Sequence, residues 1–255
     1  MPNPNHSASD YDELTPEERL TAEMLDEHSI DEDPEDLLCG EDPEREIEED
    51  SWSAADEWAF DPEIDTRQQT CFECAEGAER RLKNGREWEI AGIAERFIRT
   101  ASSLLLEDRS IDEIYRLTER IVDCLSVHPR LTLRLKRLQL SAIQRIEARE
   151  EERFDETDQL LGQIAALQHN IELADAGRLD EIGQTGPLKK DPVEWTERFE
   201  QVIDEVEQEV DLRLRNEPRG MGFCFVYWPA KTAALAERGV EWRSPHRMNP
   251  RVIFD

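Results

Sequence analysis

The stretch that decides the fold is SIDEIYRLTERIVDCLSVHP, residues 110–129. Its apolar side chains recur at positions 111, 114, 115, 121, 122 and 125, which fits the 3.6-residue period of an amphipathic helix. Ser110 and Glu113 have the spacing of a capping box and predict where the helix starts, and Pro129 predicts where it ends. A helix of this kind buries one face against neighbouring helices.

The segments around this stretch show the same periodicity. Residues 86–108 carry one apolar stripe, and residues 152–177 and 191–216 each carry an apolar face. Residues 131–140 are ambiguous, because their leucines first alternate like those of a strand and then follow a helical spacing. We favour a helix there, since good helix formers fill the second half. The sequence therefore predicts a mainly α protein, either a helical bundle or a short α-solenoid of antiparallel helices.

The formal net charge of −30 is unevenly distributed. Residues 1–65 contain 25 acidic and 2 basic side chains, whereas residues 66–255 contain 36 acidic and 29 basic ones. This asymmetry predicts an acidic, partly disordered N-terminal arm with short helices, attached to a more ordinary domain. Such an arm repels nucleic acid and attracts basic surfaces.

The end of the chain is apolar and basic. We expect residues 66–215 to form a helical domain and residues 216–255 to form an aromatic cap packed on it. Within the cap, RGMGFCFVYW at residues 219–228 predicts a short strand or a buried turn, and Pro229 predicts the start of a helix. The last residues are too apolar for a free tail, so we expect them to lie against the core.

Two segments are candidates for binding a protein partner. The first is SWSAADEWAFD at residues 51–61, which either packs back onto the domain or folds on a partner as an acidic docking peptide. The second is the C-terminal cap, which forms either a recognition surface for an acidic partner, including the arm itself, or an ordinary arginine-rich surface. The candidate residues are Trp52, Trp58 and Phe60 in the first segment and Trp242, Arg243, Arg247 and Arg251 in the second.

An alternative function involves nucleic acid, because residues 130–149 form a basic segment. Its candidate residues are Arg130, Arg134, Lys136, Arg137, Arg145 and Arg149. The protein would then be a regulator whose basic helix is masked by the acidic arm, or an acidic mimic of a nucleic acid. The net charge opposes direct binding of a polyanion, and the same cations could instead pair with acidic neighbouring helices.

A second alternative is a zinc site. Cys71 and Cys74 form a C-x-x-C pair, and Cys124 and His128 lie four residues apart, so two neighbouring helices could offer three thiolates and an imidazole. The competing interpretation is that these cysteines are buried structural residues.

No motif for catalysis or phosphate binding occurs in the sequence. We therefore expect a non-enzymatic helical protein-interaction or regulatory protein without a cofactor, whose partner is another protein with a basic surface. The first residues do not resemble a signal peptide, and no stretch approaches the roughly 20 apolar residues that span a bilayer. These features predict a cytoplasmic protein with reduced thiols and no membrane partner.

Overall fold

The structure is a computed structural model that describes residues 62–184 and 186–254. Within these ranges the chain forms eight α-helices and no strand. Short 3₁₀ turns at Glu87–Glu89, Leu179–Glu181 and Pro192–Trp195 lie between them. The helices are α1 (Pro62–Lys83), α2 (Ile90–Leu106), α3 (Ile111–Val122), α4 (Pro129–Glu150), α5 (Asp155–Asp175), α6 (Glu197–Arg213), α7 (Cys224–Glu237) and α8 (Pro245–Met248).

The first four helices form a bundle. Helix α1 packs against α2 and α3, and α4 packs against the same two helices, so the four helices close a ring of contacts. Helix α5 lies on the outer side of this ring against α4. The prediction of a mainly α fold is confirmed, and the contacts of α1–α4 are those of a bundle.

Helix α4 explains why residues 131–140 were ambiguous in the sequence. The whole segment is helical, and Leu131, Leu133 and Leu135 are all buried. Because α4 contacts α2, α3 and α5, it buries more than one stripe of its surface. A helix that is enclosed on several sides carries apolar residues at extra positions, and these produce the apparent alternation.

A second core lies between α6, α7 and the last residues of the chain. The members of this cluster are Phe199, Val202, Ile203, Val206, Val210, Ala234, Leu235, Val240 and Trp242. Gly239 ends α7 with a φ of +77°, and the Val240 amide donates to the Leu235 carbonyl at 3.0 Å. This Schellman-type turn reverses the chain, so that Val240 and Trp242 pack back onto α6 and α7.

The boundaries of α3 differ from the sequence prediction. Ser110 has a φ of +54° and its side chain caps no amide, so the predicted capping box does not form. The helix ends at Val122, well before Pro129, which is instead the first residue of α4. Proline suits that position because the first helical amide needs no partner within the helix.

The prediction for the aromatic run in the C-terminal cap was wrong. Residues 224–228 form the start of α7 rather than a strand, residues 221–223 form a turn that precedes it, and Pro229 lies inside the helix instead of starting it. Pro229 removes one hydrogen bond to the carbonyl of Phe225. Because both residues are exposed, the missing bond lies on the solvent side of α7, and the helix continues through Pro229.

The predictions for the acidic arm concern residues that lie almost wholly outside those the structure describes, which begin at Pro62. Among the helices that are described, none combines the length and the apolar character needed to cross a membrane.

The bundle core yields a test with a matched control. Leu138 in α4 is fully buried, whereas Leu106 at the end of α2 is 66% exposed. We expect Leu138→Ala to lower the free energy of unfolding by about 2–5 kcal/mol, because it removes buried methyl groups and leaves a cavity. Leu106→Ala should change it by less than about 0.5 kcal/mol. Urea denaturation of the two variants measures both values, and equal losses would contradict this packing.

Candidate interaction site

The last residues of the chain are anchored to the loop that precedes α6. The Trp242 indole nitrogen Nε1 donates to Glu194 Oε1 at 2.7 Å. Asn249 Nδ2 donates to the Lys189 carbonyl at 2.9 Å, and Asn249 Oδ1 accepts from the Lys189 amide at the same distance. Trp242 itself is buried in the second core, so its ring is not on the surface where the sequence analysis placed it.

An aromatic cluster joins α7, α8 and the end of the chain. It consists of Phe225, Trp228, His246 and Phe254. The Trp228 and Phe254 rings meet edge to face with their centroids 5.1 Å apart. The His246 ring lies 6.2 Å from Phe225 and 6.3 Å from Phe254. These contacts fix the end of the chain against α7 by ring packing.

Large apolar side chains that neighbour this cluster in the chain are exposed. Met221 and Ile253 are each 91% exposed and Phe225 is 54% exposed. Val226 and Val252 are also exposed, and we call these five residues the C-terminal apolar patch. A group of exposed apolar side chains that is held in place marks an interaction surface more often than scattered single residues do.

The cations of this region fall into two groups. Three of them pair with carboxylates of α6: Arg219, Lys231 and Arg238. Arg243 pairs with the buried Asp191, to which it donates through both its backbone amide and its guanidinium. Arg247 and Arg251 make no ion pair with any residue that the structure describes, and both are exposed. Only these two of the predicted cations have charges left for a partner.

The basic residues of α4 all contact acceptors on neighbouring segments. Arg130 Nη1 donates to Glu200 Oε2 at 2.7 Å, and the Arg149 guanidinium donates to both oxygens of Asp112 at 2.9 and 3.0 Å. The other four candidates donate to side-chain or backbone oxygens: Arg134, Lys136, Arg137 and Arg145. Burial also lowers the pKa of Lys136. From the sequence, pairing within the fold was the alternative to nucleic-acid binding.

The four residues of the zinc alternative lie in three places. Cys71 and Cys74 are buried one turn apart on α1, Cys124 follows α3, and His128 Nε2 lies 2.9 Å from Asp204 Oδ1. Among the described residues, no three His, Cys, Asp or Glu side chains form a group that could hold a metal ion. Burial raises the pKa of Cys71 to about 12, with a further contribution from Cys74. A buried, protonated thiol is the state of a structural cysteine.

A buried ion pair connects α7 to α6. Lys231 Nζ donates to Glu207 Oε1 at 2.5 Å, and the Tyr227 hydroxyl donates to the other oxygen of the same carboxylate. The ammonium group also lies 5.0 Å from the Trp242 ring centroid and 5.8 Å from that of Tyr227. The charge of Lys231 is therefore balanced by one carboxylate and two aromatic faces.

The sequence analysis missed the exposed members of α7. It predicted a short strand or a buried turn for residues 219–228, although Phe225 and Trp228 have the i, i+3 spacing of one helical face. That spacing was the available signal. The candidates Trp52, Trp58 and Phe60 lie outside the described residues, and their role stays a prediction.

Comparison with known proteins gives no relative. No protein family matches this chain, and neither the curated proteins nor the solved structures contain a match. The function must therefore be argued from the surfaces described above.

The buried ion pair gives a stability test. Lys231→Met should lower the free energy of unfolding by about 3–5 kcal/mol, because it leaves the Glu207 carboxylate in the core without its cation. The double variant with Glu207→Gln should recover much of the lost free energy of unfolding, since no buried charge remains uncompensated. Urea denaturation of the single and double variants measures the coupling. Additive losses would show that the two groups are not a pair.

The buried cysteines give a second test. We expect Cys71 to resist alkylation by iodoacetamide at neutral pH, while the partly exposed Cys224 reacts faster. Because the folded pKa of Cys71 lies above its ordinary value of 9.0, its thiol stabilises the fold below that pH. The contribution is lost as the pH rises toward about 12. Mass spectrometry of timed reactions compares the two sites, and equal rates would contradict the burial of Cys71.

Proposed function

We propose that this protein is a non-enzymatic helical interaction protein that binds an acidic, apolar segment of another protein on its C-terminal apolar patch. The observation that carries the proposal is that the anchored end of the chain combines exposed apolar side chains with Arg247 and Arg251, which form no ion pair with a described residue. Protein interfaces are enriched in this mixture of aromatic residues, methionine and arginine.

The rigidity of the patch supports this function. Phe225 is held by the rings of Trp228 and His246, and Ile253 is next to Phe254, whose ring packs on Trp228. A partner that binds a surface already held in place loses less conformational freedom than one that must order a free tail. The patch thus presents its apolar groups at a low entropic cost.

The charges around the patch favour an acidic partner. Arg247 follows His246, whose ring contacts Phe225, and Arg251 precedes Val252, so both arginines are next to the patch in the chain. Carboxylates on a bound segment would pair with these two groups, in two-pronged hydrogen bonds where the geometry permits. Exposed pairs of this kind weaken as the salt concentration rises. We therefore expect binding to combine a salt-resistant apolar part with a salt-sensitive part.

The test uses a photo-crosslinking amino acid placed at Phe225 in one sample and at Leu106 in another. Leu106 is at least as exposed as Phe225 and lies at the end of α2, far from the patch in the chain. We expect a protein from native lysate to crosslink at Phe225 but not at Leu106, through a segment that carries apolar residues and carboxylates. Mass spectrometry identifies the crosslinked segment.

Substitutions then test the contacts. Ile253→Asp should weaken binding of the crosslinked protein by about tenfold, and so should Arg247→Gln combined with Arg251→Gln. The matched controls Leu106→Asp and Arg109→Gln should leave it unchanged. Crosslinks confined to this chain's own residues, to a second copy, or equally frequent at both positions would overturn the proposal.

A further inference from the structure

A separate pocket lies on the other face of the aromatic segment. Phe223 and Tyr227 are one turn apart with their rings stacked at 6.0 Å, whereas Phe225 and Trp228 belong to the C-terminal side. At about 100° per residue, these two pairs point in nearly opposite directions. Together with Trp88 from the 3₁₀ turn that follows α1, Phe223 and Tyr227 line a cavity of about 160 Å³.

The wall of this pocket also contains three carboxylates. They belong to Glu87, Glu207 and Asp211. Burial raises the pKa of the Tyr227 hydroxyl, and the charges of Glu207 and Glu87 raise it further. Both oxygens of Glu207 already accept hydrogen bonds from Lys231 and Tyr227, so Asp211 is the carboxylate that a ligand could take over from Arg219. Aromatic faces combined with carboxylates attract cations, because each ring presents a negative face and each carboxylate a full negative charge.

One cationic group of the chain already lies at this pocket. The Arg219 guanidinium sits 5.5 Å from the centroid of the Phe223 ring and pairs with Asp211. Gly85 leaves room for it, because a Cβ at Gly85 would lie only 3.2 Å from Arg219 Nη1. Gly85 also has a φ of +63°, which residues with side chains rarely adopt. The Arg219 side chain is nevertheless half exposed, so it lies at the rim and does not fill the cavity.

We propose that this pocket binds a guanidinium group, and that Arg219 is the internal group that such a ligand displaces. The ligand is either a small arginine-like molecule or an arginine side chain of a basic peptide. The volume supports a single group of this size, since pockets for drug-sized ligands are about 300–1,000 Å³. A bound guanidinium would stack on the aromatic rings and pair with Asp211 in place of Arg219.

This site is independent of the partner proposed for the C-terminal apolar patch, because its walls and its charge preference are different. The patch offers free cations to an acidic segment, whereas the pocket offers carboxylates to a cation. The variant Ile253→Asp, which should weaken binding at the patch by about tenfold, is therefore expected to bind a guanidinium ligand normally. The two proposals can fail separately.

The experiment titrates the full-length ¹⁵N-labelled protein with N-acetyl-arginine amide and follows the tryptophan indole signals by NMR. The signal of Trp88 is assigned by its loss in Trp88→Phe. We expect a saturable shift of this signal with an affinity in the millimolar range. The citrulline analogue, which has nearly the same shape but no charge, should produce no shift.

The decisive variant is Arg219→Gln. Removing the internal competitor should strengthen binding of the arginine amide by about fivefold or more, since Asp211 and the Phe223 ring are then free of an internal cation in every molecule. Arg251→Gln removes the same charge from the same end of the chain and should leave the affinity unchanged. This comparison separates local competition from general attraction of cations to an acidic protein.

Three results would overturn the proposal. They are the absence of a saturable shift in Arg219→Gln, an equal response to the citrulline analogue, and equal gains in Arg219→Gln and Arg251→Gln. A short peptide with a central arginine distinguishes the sources of the ligand. Tighter binding of the peptide than of the amide would favour a basic protein partner. Equal binding would favour a small guanidinium compound. Both results support the site itself.

Discussion

The C-terminal third of the structure depends on the contacts that the ammonium group of Lys231 makes. This group is buried, and a buried charge is tolerated only where opposite charge and polar contacts replace water. Glu207 supplies the charge from α6, and the rings of Tyr227 and Trp242 supply the negative aromatic faces. These three contacts come from three different segments, so satisfying one side chain fixes the positions of α6, α7 and the end of the chain.

The orientation of α7 follows from this constraint. With Lys231 and Tyr227 turned toward Glu207, Phe223 is also turned toward α6 and the turn that contains Trp88. Phe225 and Trp228 then lie on the side where His246 and Phe254 pack. One aromatic segment thereby forms two surfaces of different chemistry. The first is a pocket whose wall contains carboxylates, and the second is an exposed apolar patch next to Arg247 and Arg251, which pair with no described residue.

Ion pairing distinguishes the arginines that belong to the fold from those that are available to a partner. The six basic residues of α4 look like a nucleic-acid surface in the sequence, yet each of them reaches an acceptor on a neighbouring segment. In the C-terminal region Arg243 pairs with Asp191 in the same way, whereas Arg247 and Arg251 do not pair with any described residue. Residue type alone does not separate these cases, because pairing depends on contacts between residues that are far apart in the chain.

The sequence by itself determined the helical class and the position of most helices, because a period of 3.6 in the apolar residues is a local property. It also indicated that the apolar end of the chain lies against the core, which holds for Val240 and Trp242 but not for the exposed Val252 and Ile253. It could not place Pro229 inside α7, because its local preference for a helix start is overridden by the packing of the residues around it. Only the tertiary structure decided that Trp242 is buried, that Phe225 and Ile253 are exposed, and that Trp88 meets Tyr227 at one pocket. Exposure and proximity depend on which helix covers which face, and the free energy that selects this arrangement comes from contacts between distant parts of the chain.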